Sequence, residues 1–136
     1  MKTLPIRLTP GQDLRAALEA AVLAQNCRAA FVLSGIGSLS TAGIRLAGAA
    51  QPTRLTESME ILTLSGTVAA DGGKTGSHMH MAISTATGQV LGGHVAPGCI
   101  VLTTAEVLLA LLPDWQFTRA PDVATAYDEL VIRPYG

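Results

Sequence analysis

Apolar residues recur at helical spacing in one clear stretch of the chain. Leu14, Leu18, Ala21 and Val22, with Gln25 closing the stripe, repeat at intervals of three and four and predict one amphipathic helix. Its start is marked by Thr9-Pro10-Gly11-Gln12, which reads as a capping box with Thr9 as the N-cap, and its end by Asn26 as a left-handed stop. The rest of the chain alternates in short runs split by Gly, Ser, Thr and Pro. These runs predict strands at Ala30–Ser34, Gly43–Leu46, Met59–Val68, Ser77–Ser84, Val90–His94, Ile100–Leu109 and Glu129–Ile132. Turns are expected at Gly35-Ile36-Gly37-Ser38, Asp71-Gly72-Gly73 and Thr87-Gly88. The run Val107–Leu112 suits either a short helix or a buried strand, and we read it as a strand continuing into a turn at Pro113-Asp114. One N-terminal helix followed by many strands predicts an α+β fold, a mainly antiparallel sheet with the helix packed on it.

Composition adds two constraints. The chain has 136 residues, enough for a single domain, and only 14% of them are charged against 49% hydrophobic. A typical domain carries roughly 25% charged residues. This excludes disorder as the main state, and it raises the question of what covers so apolar a surface. The net charge of -1, with no run of basic residues, is a poor footprint for phosphate neutralisation, so direct DNA binding is not expected. Cys27 and Cys99 show neither metal-knuckle nor C-x-x-C spacing and are read as reduced. No signal peptide and no membrane-spanning apolar run is visible, so the expected location is cytoplasmic.

The charge deficit is deepest from Thr75 to Ala105, which contains no Asp, Glu, Lys or Arg but all three histidines. His78 and His80 are two apart, so on a strand they share a face, with Met79, Met81 and Ile83 on the other. A hairpin around Ala86-Thr87-Gly88 would return His94 towards them. Three neutral imidazoles meeting at one point make a zinc site with an open fourth position, and nickel, iron or cobalt would also suit it. Solvated or cross-strand hydrogen-bonded histidines are the alternative.

Other candidates are single residues. Strand parity puts Glu60 with Leu62 and Leu64 and predicts burial. A buried carboxylate is costly unless paired or coordinating, so Glu60 is a metal or general acid/base group, or the ion-pair partner of an arginine such as Arg45. Glu106 has the same character. Arg45, between Ile44 and Leu46, is the cation best suited to a small anionic ligand, with a solvated edge-strand arginine as the alternative. Gly35-x-Gly37 is not a dinucleotide fingerprint, because Ser40 stands where the third glycine is needed and a strand, not a helix, follows.

The ordered set Phe31–Ser38, Ile44-Arg45, Met59–Thr67, His78-Met79-His80, Gly92-Gly93-His94 and Thr103–Val107 resembles the plants-and-prokaryotes-conserved domain family, over about residues 5–133 of a single domain spanning the whole chain. Bacterial members of that family are often labelled DNA-binding. The resemblance implies an antiparallel α+β fold, a homotrimer, and a fold similar to that of the acetolactate decarboxylases, which hold zinc with an H-x-H pair and a third histidine. It thereby implies a metal at His78, His80 and His94, but it carries no decarboxylase activity across. Glu60, as a proton shuttle, and Arg45, holding a carboxylate, are the candidate catalytic groups read from the residues themselves. DNA contact in plant relatives is attributed to an Arg-Gly-Arg-Pro hook, which this sequence does not contain.

Overall fold

In the computed structural model, which describes residues 1–71 and 74–136, the order of elements is β1 (Lys2–Leu8), α1 (Leu14–Ala24), β2 (Ala29–Arg45), β3 (Thr53–Asp71), β4 (Lys74–Thr85), β5 (Val90–Val95), β6 (Ile100–Leu111), β7 (Trp115–Pro121) and β8 (Asp128–Pro134). Six strands form one antiparallel sheet in the order β1-β6-β2-β3-β4-β5, and β7 and β8 form a separate hairpin. β5 also pairs with the far end of β2, through Ile44 with Val95 and Arg45 with His94. This pairing brings β5 back against β2 and covers the His94–Val95 end of the edge that β5 would otherwise present.

The helix buries Leu14, Leu18 and Val22 completely against the inner face of the sheet, beside Val32, Leu64, Met79 and Leu109. Each such leucine contributes about 1.5–3 kcal/mol of hydrophobic stabilisation. The N-cap is Asp13 rather than Thr9. The Asp13 carboxylate accepts from the Ala16 N–H at 3.0 Å and from the Gly98 N–H at 2.7 Å, tying the helix start to the segment before β6. Gln12 does reach back to the Thr9 N–H, at 2.9 Å, but this closes a turn ahead of the helix instead of its first turn. Asn26 has the expected left-handed φ of 52°.

The largest departure from the sequence pattern is β2. The turn expected at Gly35–Ser38 does not exist, and one 17-residue strand runs through it. Register shifts at Val32/Ser34, Gly37/Leu39 and Leu39/Thr41 bend this strand without ending it. Ile100–Leu111 is a strand, as read, and the chain turns at Thr85–Gln89, where the Thr85 N–H donates to the Gln89 carbonyl. The Asp71-Gly72-Gly73 expectation falls on residues 72–73, outside the described residues. Cys27 and Cys99 are buried and unbridged. No helix among the described residues is long and apolar enough to cross a membrane.

Candidate metal centre and adjoining cleft

Strand alternation in β4 buries Met79, Met81 and Ile83 and leaves His78 and His80 on the outer face. The hairpin then sets His94 of β5 directly opposite His80. Two glycines make the close approaches possible. A Cβ at Gly66 would collide with the His78 carbonyl oxygen across the β3–β4 ladder, and one at Gly93 would run into the Arg45 carbonyl oxygen. Gly93 therefore lets β5 lie against β2, which brings His94 beside Arg45.

The three imidazoles converge. His78 Nε2 and His80 Nε2 are 3.1 Å apart, and one ligating nitrogen from each of the three rings falls within 4.8 Å of the other two. Nitrogens bound about 2.05 Å from a tetrahedral zinc ion stand about 3.3 Å apart, so the spacing fits such an ion. The His78 and His94 rings are stacked at 5.1 Å, with His80 edge-on to both.

The surroundings favour the neutral, ligating form of His78 and His94. Desolvation holds the His78 pKa below its ordinary value, helped by His80, Arg119 and Arg45 and opposed by Glu129. Desolvation also lowers His94, followed by the charges of Arg45, His80 and His78. His78 and His94 border a cleft of about 1010 Å³ whose other walls include Arg45, Arg54, Arg119 and Glu129.

Arg45 is half-buried and donates from Nη1 to the Ala49 carbonyl at 3.3 Å, so the structure brings this candidate to the histidines. Glu60 it does not. Glu60 is exposed, opposite Ser84 rather than His80, about 13 Å along β4. It borders a separate small depression with Ser38, Ser84 and Thr103. The expectation of burial fails because a register shift between Ile61 and Thr63 breaks the parity, leaving Leu62 exposed and Leu64 buried. Glu60 and Arg45 form no ion pair, and Glu106 is exposed as well.

Sequence reasoning missed Arg119 and Glu129, on β7 and β8, which reach the cleft from the separate hairpin. It also missed Glu19 of α1. The Glu19 carboxylate accepts from the hydroxyls of Thr75 and Ser77 and pairs with Arg15 at 3.2 Å, anchoring β4 immediately before His78. Nothing local in the sequence links those positions.

The Plants and Prokaryotes Conserved (PCC) domain matches residues 1–113, a span that holds all three histidines and Arg45. The chain belongs to the PCC domain family. It is 48% identical over 134 residues to the bifunctional protein GlmU of Synechococcus sp. (strain JA-2-3B'a(2-13)), covering 98% of this chain but 21% of that protein. The PCC chain thus spans about a fifth of the length of the curated relatives it matches. Among solved structures, it is similar to a hypothetical protein of Salmonella enterica, with 38% identity, a TM-score of 0.91, and coverage of 98% of this chain and 94% of that one. A metal-containing protein of Archaeoglobus fulgidus is 27% identical at a TM-score of 0.76, covering 96% and 94%. A protein of Ralstonia eutropha JMP134, named as a candidate DNA-binding protein, is 25% identical at a TM-score of 0.77, covering 93% and 89%.

Proposed function

We propose that this PCC domain is a homotrimeric metal-binding module whose three histidines hold a divalent ion, zinc, and whose adjoining cleft takes a small molecule. The observation that carries the reading is the convergence of three ligating nitrogens within 4.8 Å beside a cleft of about 1010 Å³. Three protein ligands leave a fourth position open, which is the arrangement of catalytic rather than structural zinc. When bound, the ion supplies a Lewis acid that polarises a carbonyl or lowers the pKa of water. His78, His80 and His94 would hold it, and Arg45 would orient a carboxylate or carbonyl compound. The metal-containing Archaeoglobus relative supports the same reading.

The sheet's outer face supports the trimer. Leu33, Ile36, Leu62, Leu102 and Leu108, on β2, β3 and β6, are large apolar side chains left 36–54% exposed. Burying such a patch between copies answers the question raised by the low charge. Direct recognition of DNA, the function named for some neighbours, is disfavoured by the net charge of -1 and by Asp128 and Glu129 beside the cleft's arginines.

Elemental analysis of protein purified without chelator tests the site: about one equivalent of metal per chain is expected, lost in His80→Ala. Metal-free wild-type protein that also fails to take up added zinc would sink the reading. Sedimentation equilibrium tests the assembly, with an expected mass three times that of the 14.0 kDa chain.

A further inference from the structure

Two arginines flank the histidines from opposite sides. Arg45 is on β2 and stands across the ladder from His94. Arg119 is on β7 and donates from Nη2 to Thr67 Oγ1 at 3.3 Å, and Thr67 stands across the ladder from His78. Both are half-buried, and both line the same cleft. Among the described residues the ion pairs are Arg15–Glu19 and Arg28–Asp71, so neither Arg45 nor Arg119 has a carboxylate within salt-bridge distance. Each guanidinium presents five N–H donors in a planar fork. The described structure satisfies one nitrogen of each, through Ala49 and Thr67.

A cation withdrawn from water without a counter-charge is costly, and a bound anion removes that cost. The nearby Arg54 donates to the Pro97 carbonyl and adds positive potential, while Asp128 and Glu129 offset part of it. The cleft's volume is at the upper end of the range of about 300–1,000 Å³ usual for small-molecule sites.

We propose that Arg45 and Arg119 form a clamp for the carboxylate or phosphate group of a small molecule seated against the histidines. The clamp is built from the sheet on one side and the β7–β8 hairpin on the other, and Arg119 lies beyond residues 1–113 matched to the PCC family. The proposal rests on the three-histidine reading only for what the rest of that molecule meets. The anion itself is held by guanidinium forks, which match the two oxygens of a carboxylate or phosphate.

Isothermal titration calorimetry with inorganic phosphate and with acetate tests it, on the whole chain and on Arg45→Gln, Arg119→Gln, Arg119→Lys, His80→Ala and Arg133→Gln. At least one anion is expected to bind at one per chain. Tighter phosphate binding assigns a phosphate-bearing ligand, and tighter acetate binding a carboxylate-bearing one. Arg45→Gln and Arg119→Gln should each weaken binding tenfold or more, which is about 1.4 kcal/mol or more. Arg119→Lys, which keeps the charge without the fork, should weaken it less. Arg133→Gln, outside the cleft, should bind as the wild type does, and His80→Ala should keep an anion binding that the arginine substitutions still weaken. Retention in His80→Ala separates the clamp from the metal: a protein that takes no metal yet binds an anion through both arginines keeps this proposal and loses the other. The proposal is overturned if neither anion binds up to about 10 mM, the weak side of the millimolar range. It is also overturned if both glutamine variants bind like the wild type, or if His80→Ala abolishes anion binding.

Discussion

His80 and His94 face each other across the β4–β5 ladder, with ring centroids 4.4 Å apart and ring planes at 73°. A single hairpin produces this pair, and His78 completes the triangle from two residues away on the same strand. The site therefore depends on local pairing more than on any distant loop. Either residue substituted by alanine should leave the ladder intact while removing one of the three proposed metal ligands. His94→Ala is expected to fold, to keep its far-ultraviolet circular dichroism, and to retain less than a tenth of the wild-type metal content by mass spectrometry. Unchanged metal content in His94→Ala would exclude this ring as a ligand.

Metal removal should be felt as lost stability, because an ion that binds the folded chain alone adds RT ln(1 + [L]/Kd). With free zinc at a hundred times Kd this is about 2.7 kcal/mol. Chelation should therefore lower the thermal midpoint of the wild type, and leave His80→Ala unmoved. Equal shifts in both proteins would mean that the chelator acts elsewhere.

The pairing that makes the site was legible because β4 obeys a clean period of two: methionines and isoleucine inward, histidines outward. The helix was legible for the same reason, Leu14, Leu18 and Val22 recurring on one face. Legibility stopped where a bulge or a glycine broke the period. Gly35 and Gly37 read as a turn, yet they lie inside β2, where a Cβ at Gly37 would press on the Thr104 carbonyl and Ala105 of β6. Glu60 read as buried because the register shift after Ile61 leaves no trace in residue type. β1 carried a period of two in Leu4, Ile6 and Leu8 that went unread, whereas β7 escaped notice because Trp115–Pro121 alternates weakly. With β7 went Arg119, whose place beside the histidines is decided by how the hairpin packs: Phe117 sits edge-on to Phe31 at 5.7 Å.

The close approach at Gly93 gives a test of backbone geometry. Gly93→Ala puts a methyl group against the Arg45 carbonyl and the Ile44 side chain, so β5 must shift away from β2. The expected cost is about 1–3 kcal/mol, as for other overpacked sites. Because His94 is the next residue, metal affinity should fall with stability, measured by urea unfolding and by zinc titration of the same preparation. Gly88→Ala is the contrast. Its added methyl meets nothing within 4 Å, but its φ of +81° imposes strain at the turn. It should lower stability without a matching change in zinc affinity.

The histidines also set a pH dependence for the metal-free protein. His78 and His94 both titrate below their unfolded value in the folded chain. Unfolded histidine has a pKa of about 6.5, so below that pH the unfolded chain takes up protons more readily than the folded one. Their contribution is thus fully present above about 6.5 and is lost as pH falls through the folded values. Urea midpoints of chelator-treated protein should be level between pH 7 and 8 and should drop on going to pH 5.5. The drop should shrink in the double variant His78→Asn, His94→Asn. A midpoint that rises on acidification would reverse the sign of the interaction.

Duplex DNA gives the sharpest contrast between this chain and the functions named for its neighbours. Seven of its nine basic residues are arginines, and four of those, Arg15, Arg45, Arg54 and Arg119, line the cleft beside the histidines. Arg15 is already paired with Glu19, and Asp128 and Glu129 stand beside the rest. Phosphate neutralisation along a duplex needs cations spread over a convex or grooved face, with affinity that falls steeply as salt rises. Fluorescence anisotropy with a labelled duplex is therefore expected to detect no binding at physiological salt, and Arg133→Gln should make no difference. Binding tighter than about 10⁻⁶ M there, beyond the usual non-specific range, would establish DNA as a partner and leave the arginine cleft to be reinterpreted as part of that surface.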